Sequence, residues 1–175
     1  MTDITRLIRF TAAGLAELVQ AKNQGIKGEI THVAAGTGRY NPTGAETALK
    51  VEKQRVAVND YEDLGAGSLR IAALFDGDLE YEVGEFGFFL STGTLLGVYS
   101  QAGVLQTYKA ATARILQRFT LNISALPTDS VTVVVGDNSL NLLMAKELAQ
   151  LATASVDNMT RHVGLLFRVM DLDGK

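Results

Sequence analysis

Residues 82–100 constrain the fold more than any other part of the chain. Two runs rich in aliphatic and aromatic residues flank a short polar stretch at 91–94, and this pattern is typical of a β-hairpin. Gly93 provides a residue that can adopt positive φ in the connecting turn. The sequence therefore predicts a central hairpin in which Phe86 or Phe88 is buried.

The rest of the chain changes periodicity twice. A helical pattern at 11–22 is followed by short segments with alternating apolar residues, separated by a turn predicted at 61–67. These strands lie at 29–34, 52–59, 68–75, 117–124 and 130–135. We expect an α+β fold in which β-structure dominates: an antiparallel sandwich or curved sheet with an N-terminal helix and a C-terminal helical segment.

Helix-forming residues dominate after residue 137, which predicts an attachment domain at 1–137 and a helical oligomerisation or connector segment at 138–175. Read as a heptad, this segment has an oligomer seam with a polar middle at Ser155, Asn158 and His162, and polar layers occur in multistranded bundles. Two interpretations of this segment remain open. It forms a seam between subunits, or it forms one or two helices that fold back on the domain. The heptad ends at Val169, and the predicted contact residues of the seam are Met144, Leu148, Leu151 and Leu165.

Composition excludes several classes of function. The chain has no cysteine, a net charge of −3 and no apolar run of membrane-spanning length. Without a basic excess, we expect no nucleic-acid partner, and we expect no insertion into a membrane.

The candidate catalytic, metal-binding and phosphate-binding residues lack the partner residues that such sites require. His32 and His162 have no carboxylate at metal-ligand spacing, and Gly36-Thr37-Gly38 lacks the remaining residues of a phosphate loop. The acids between Asp76 and Glu85 are better explained as protection of a strand edge than as a catalytic pair. We therefore predict no enzyme, no cofactor and no metal.

Five stretches, in order along roughly residues 5–137, resemble the N-terminal (tail-collar) domain of contractile-phage tail fibre proteins. The central match is the hairpin itself, with its Glu-Phe-Gly-Phe strand and its Gly-Thr-Leu-Leu-Gly-Val return strand. The five are Phe10-Thr11-Ala12-Ala13-Gly14-Leu15-Ala16, Thr31-His32-Val33-Ala34-Ala35-Gly36-Thr37-Gly38, Glu85-Phe86-Gly87-Phe88, Gly93-Thr94-Leu95-Leu96-Gly97-Val98 and Thr107-Tyr108-Lys109.

The resemblance implies a structural virion protein of the tail or baseplate, assembled in the host cytoplasm. It implies a homotrimer whose globular domain docks on a baseplate wedge protein. Because such fibres usually continue into a long shaft and this sequence stops at residue 175, we expect an adaptor to a separate tail fibre protein. The alternative is a carbohydrate-binding β-sandwich that recognises the host surface, with Tyr40, Tyr61 and Tyr108 as its candidate aromatic residues in loops.

The N-terminal segment carries apolar residues that must be buried somewhere. Two interpretations stay open: a first strand paired into the sheet, or an arm that docks on the baseplate or on a neighbouring subunit, where its arginines pair with acids. The candidate residues of this docking arm are Ile4, Arg6, Leu7 and Arg9.

Overall fold

A computed structural model describes residues 8–137 and 140–173. The chain divides into two compact units, Met1–Asn138 and Ser139–Lys175. In the described part of the first unit there are one helix, α1 (Ala12–Asn23), and ten strands. The strands are β1 (Arg9–Phe10), β2 (Gly28–Gly36), β3 (Glu52–Gly65), β4 (Ser68–Phe75), β5 (Tyr81–Val83), β6 (Glu85–Leu90), β7 (Leu95–Ser100), β8 (Thr107–Lys109), β9 (Ile115–Asn122) and β10 (Val131–Val133).

The main sheet has the order β1-β7-β6-β2-β3-β4-β9, and each neighbouring pair is antiparallel. The long strand β3 pairs with β2 through its first half and with β4 through its second half, and register shifts interrupt both ladders. Because bulges bend a strand and increase its twist, the sheet curls into a half-barrel. The predicted α+β fold, in its curved-sheet form, is confirmed.

The concave face of this sheet holds the main core. Phe86 and Phe88 alternate along β6 and point to the same side, and each is 1% exposed. The ring of Phe119 meets both edge-on, at centroid distances of 4.9 and 5.1 Å. The hairpin formed by β6 and β7 is thus confirmed, and both phenylalanines are buried.

The opposite face of β6 and β7 is also covered, which explains why every residue of β6 is buried. Phe89 packs with Leu49, Leu95 and Val98 in a second cluster. Gly87 permits this packing, because a Cβ there would lie 2.9 Å from a Leu49 methyl group.

Helix α1 begins at a cap that the sequence specifies. The hydroxyl of Thr11 accepts a hydrogen bond from the Gly14 N–H at 3.0 Å, as an N-cap side chain does. Gly14 lies so close to β7 that a Cβ there would be 2.6 Å from the Leu96 Cα. Leu18, on the same face of the helix, is fully buried.

The second unit contains one continuous helix, α2 (Leu140–Asp173), of 34 residues. Every described side chain between Met144 and Leu172 is exposed. In the parts of the chain that the structure describes, no helix is both long and apolar enough to cross a membrane.

Candidate functional site

A buried carboxylate of the first unit accepts four hydrogen bonds from other residues. Glu85 is 0% exposed and accepts three backbone N–H bonds at 3.0–3.1 Å, from Gly38, Lys50 and Val51. The Tyr40 hydroxyl donates a fourth bond at 3.0 Å. Buried carboxylates require such donors, so Glu85 ties the loop at 37–51 to the sheet.

The glycines before this loop make room for the carboxylate. A Cβ at either Gly36 or Gly38 would lie 2.6 Å from Oε1 of Glu85. The Gly36-Thr37-Gly38 sequence therefore wraps a carboxylate of its own chain. Burial, together with the charge of Glu85, raises the pKa of the Tyr40 hydroxyl above its ordinary value, which keeps it a proton donor.

A second buried charge has a similar structural role. Lys109 is 0% exposed, and its Nζ donates hydrogen bonds to the carbonyl oxygens of Gly77 at 2.6 Å and Leu79 at 2.9 Å. It fixes the loop that leads into β5. The fully buried charged residues Glu85 and Lys109 thus both engage the backbone of their own chain.

The acids between Asp76 and Glu85 do not form one group. Only Glu85 is buried, whereas Asp76, Asp78, Glu80 and Glu82 are exposed. Glu82 bonds Arg39 and Glu80 bonds the Tyr108 hydroxyl. These contacts separate Glu80 and Glu82 onto different partners.

The two histidines lie on different units. His32 is an exposed residue of β2 whose Nδ1 lies 2.9 Å from the Thr31 hydroxyl, and His162 is an exposed residue of α2. Among the described residues, no group of three or more His, Cys, Asp or Glu side chains could hold a metal ion.

Of the candidate docking arm, only Arg9 belongs to the residues that the structure describes. Ile4, Arg6 and Leu7 lie outside the described residues. Arg9 belongs to β1, opposite Val98 of β7, and is exposed. The described end of the segment is therefore a short strand of the main sheet.

The predicted oligomer seam lies on α2 and is exposed over its length. The exposed fractions are 60% for Met144, 62% for Leu148, 67% for Leu151 and 58% for Leu165. These four residues follow a heptad spacing that also contains Ser155, Asn158 and His162.

Because α2 is continuous, it contains a second heptad register displaced by one residue. Its positions stay apolar over about four heptads and lie near the middle of the apolar face. This register was not among the sequence-based predictions, although its uninterrupted apolar residues at alternating spacings of four and three residues are a signal in the sequence. We call it the apolar register; it comprises Ala145, Ala149, Ala152, Val156, Met159, Val163, Leu166 and Met170.

The three candidate sugar-binding tyrosines lie on separate elements. Tyr40 is half-buried, with its hydroxyl on Glu85 and the Lys50 Nζ 4.0 Å from its ring centre. Tyr61 lies in β3 and Tyr108 in β8, so neither is in the loop that the sequence suggested.

Comparison with known proteins gave no relatives for this architecture. No protein-family model, no curated protein and no solved structure matches the chain.

Proposed function

We propose that this protein is a structural attachment module of a contractile phage tail. Its first unit docks on a baseplate wedge protein, and its second unit joins copies of the chain and leads to a separate tail fibre protein. The module acts in the virion, at the tail or baseplate, after assembly in the host cytoplasm. It needs no catalytic residue, cofactor, metal, nucleic acid or membrane.

The observation that carries this proposal is the exposed apolar face of α2. Val156, Met159 and Leu166 are 61%, 66% and 52% exposed. Isolated helices are marginal in water, and most gain stability from packing an amphipathic face. An apolar heptad register that is sustained over about four heptads is typical of self-association as a coiled coil.

The width of the apolar face supports an assembly of more than two helices. In the apolar register, Val156 and Val163 occupy a positions, while Met159 and Leu166 occupy d positions. Leu148, Val169 and Phe167 extend the apolar surface into the flanking g and e positions. A face wider than a strict a and d seam exceeds what one partner helix covers, which agrees with the proposed homotrimer.

The distribution of charged residues along α2 is what we expect of a connector helix whose polar side is exposed to solvent. Along a helix of 3.6 residues per turn, most charged residues between Ala145 and Met170 lie on the side away from the apolar register, at b and f positions, whereas Lys146 flanks the register at an e position. The charged residues on the side away from the register are Glu147, Asp157, Arg161, Arg168 and Asp171.

The residues that carry the family resemblance also support a structural role. Thr11 caps α1, Glu85 holds the loop at 37–51, and Lys109 holds the loop before β5. Gly14 and Gly87 permit close packing. The resemblance therefore rests on residues that build the fold, as expected for a module whose function is attachment.

The alternative, a carbohydrate-binding β-sandwich, rests on aromatic residues that a sugar could stack on. Tyr40 is engaged by Glu85 and Lys50, which leaves Tyr61 and Tyr108, 40% and 48% exposed. No described feature of the first unit favours this alternative over attachment. Binding of the purified chain to a glycan array would favour it.

Two measurements test the proposal. An antibody against the chain, applied to contractile-tail particles from the cell that encodes it, should label the baseplate end of the tail. Native mass spectrometry of the purified chain should give three times the 18.7 kDa chain mass. Particles without label, or label on the capsid, would refute the attachment role.

A further inference from the structure

A cavity lies at one end of the concave face of the main sheet. It has a volume of about 480 Å³, and its walls come from the turn between β3 and β4 and from the segment between β9 and β10. Leu69 and Leu126, which are 5% and 7% exposed, give it an apolar floor. Ligand sites are common in the mouths of β-barrels, and the half-barrel has this cavity at the equivalent position.

Strand alternation directs two side chains of β3 into the cavity. Tyr61 lies opposite Ile71 of β4, and Asp63 lies opposite Leu69. Residues that face each other across neighbouring strands project from the same side of a sheet, and both partners in β4 belong to the buried core. Tyr61 and Asp63 therefore project from the concave face, where both line the cavity.

These two side chains are available to a ligand. The Tyr61 ring is 40% exposed and makes no aromatic or cation contact with another described residue. Asp63 accepts the Gly65 N–H at 2.8 Å through Oδ1, and it forms no ion pair within residues 8–137 and 140–173. Because Lys27 and Asp129 pair with each other, with Nζ 3.8 Å from Oδ1, the described lining leaves one negative charge uncompensated beside an accessible aromatic ring.

The walls of the cavity have two further features of a binding site. Ser130 is 1% exposed, and its Oγ has no hydrogen-bond partner among the described residues. Ala66 and Asp129 have φ of 49° and 57°, a left-handed conformation that costs energy in residues other than glycine. Backbone strain of this kind is concentrated at ligand sites. An unsatisfied buried hydroxyl and two strained residues thus line the same cavity.

The balance of hydrogen-bond donors and acceptors indicates the ligand. The carboxylates of Asp63 and Asp129 only accept hydrogen bonds, and the Oγ of Ser130 adds an acceptor in the wall. Lys27 is the one cation among the described residues that line the cavity, and Asp129 already engages it. A positively charged ligand with several donors complements this set. Arginine meets both conditions, since its guanidinium has five N–H donors and no acceptor and stacks on aromatic rings.

We propose that the cavity binds the side chain of an arginine presented by a partner protein. The guanidinium stacks on Tyr61 and donates to Asp63, while its aliphatic stem packs on Leu69 and Leu126. Arginine is among the residues that contribute most to the affinity of protein interfaces. The inference rests on the proposed attachment function for the partner's being a protein, and it names the side chain by which the first unit holds that partner.

Titration of the purified full-length chain with the tripeptide acetyl-Gly-Arg-Gly-amide tests the site. In NMR spectra, the amide signals of Asp63, Ala66 and Ser130 should shift. The affinity should be at least about tenfold higher than for acetyl-Gly-Gln-Gly-amide, which lacks the charge. Equal affinities for the two tripeptides would overturn the proposal. So would larger shifts of the same amides with maltose, which would assign the cavity to a neutral sugar.

Two variants of β3 separate the charge of the cavity from the charge of the strand. Asp63→Asn keeps an oxygen for the Gly65 N–H but removes the charge, and it should weaken binding of the arginine tripeptide by about tenfold. Glu62→Gln is the matched control, because the adjacent Glu62 projects from the opposite face and pairs with Arg70. It should change the affinity by less than about twofold, since exposed charges are screened. Wild-type affinity in Asp63→Asn would refute the site.

The cavity and the attachment role fail in different experiments. The titration needs no particle, so a chain that labels the baseplate end of the tail but does not bind the arginine tripeptide refutes the cavity alone. Arginine binding by a chain that labels no particle supports the cavity and refutes the attachment role. Shifts confined to amides of α2 refute the cavity.

Discussion

Glu85 accepts the N–H of Gly38, 47 residues earlier in the chain, at 3.1 Å through the same Oε1 atom that accepts the N–H of Val51. One buried oxygen thus joins both ends of the loop at 37–51 to β6. Both donors are backbone N–H groups. Their positions therefore depend on the fold, and the types of side chain at Gly38 and Val51 do not supply these hydrogen bonds.

Glu85→Gln should destabilise the first unit strongly. The amide group turns an acceptor into a donor that faces backbone N–H groups, so at least one buried donor loses its partner. Hydrogen bonds to charged groups and unsatisfied buried donors each have effects of about 1–3 kcal/mol, and we expect a loss of about 3 kcal/mol by urea unfolding. Glu82→Gln, on the exposed ion pair with Arg39, is the matched control and should change stability by less than about 1 kcal/mol. Equal losses in the two variants would contradict this role of Glu85.

Phe86→Ala and Phe88→Ala should each cost about 3–5 kcal/mol in the free energy of unfolding, as large-to-small changes in a packed core do. Both rings meet Phe119, so each change leaves a cavity against the same neighbour. Leu79→Ala, at a side chain that is 52% exposed, is the control and should stay within about 0.5 kcal/mol. Mild losses for both phenylalanine variants would show that the core around Phe119 can collapse into the space.

Leu166→Asp should convert the oligomer to a monomer, while the neighbouring Leu165→Asp should leave it largely associated. Leu166 lies in the apolar register, whereas Leu165 lies in the seam that Ser155, Asn158 and His162 interrupt. Sedimentation velocity on the two variants measures the difference, and circular dichroism checks that α2 still forms. The reverse result would assign the interface to the seam with Met144, Leu148 and Leu151.

Ionisation of Tyr81 should lower the free energy of unfolding of the first unit at alkaline pH. Burial raises the pKa of its hydroxyl from 10.0 to about 12, and the hydroxyl donates to Oε1 of Gln54 at 2.8 Å. Because the pKa is higher in the folded state, the contribution of the neutral hydroxyl is complete below pH 10 and is lost as pH rises from 10 to about 12.

Urea unfolding at a series of pH values checks this dependence. The midpoint of the wild-type chain should fall more steeply above pH 10 than that of Tyr81→Phe. Because the pKa of Tyr40 is raised as well, both folded proteins should show late tyrosinate absorbance, and the late change should be smaller in Tyr81→Phe by the share of one tyrosine. Parallel curves for the two proteins would mean that Tyr81 ionises normally.

Sequence periodicity was sufficient where a structure depends on near neighbours. The two apolar runs around the polar residues at 91–94 predicted the hairpin of β6 and β7, and the helical spacing of apolar residues at 11–22 predicted α1. The turn predicted at 61–67 was partly wrong, because β3 continues to Gly65 and only Ala66 and Gly67 turn. Cross-strand pairing with β4 outweighed the turn-forming residues at Asp63 and Gly65.

The sequence by itself determined the helices, most strands and the apolar faces of the chain, because these follow from the spacing of side chains along one element. Only the tertiary structure decided the role of Glu85, since its donors come from 34 to 47 residues away and include backbone groups that no sequence pattern marks. It also brought β1 and β9 to one groove, because the curl of the sheet accumulates over seven strands and is not encoded in any one of them.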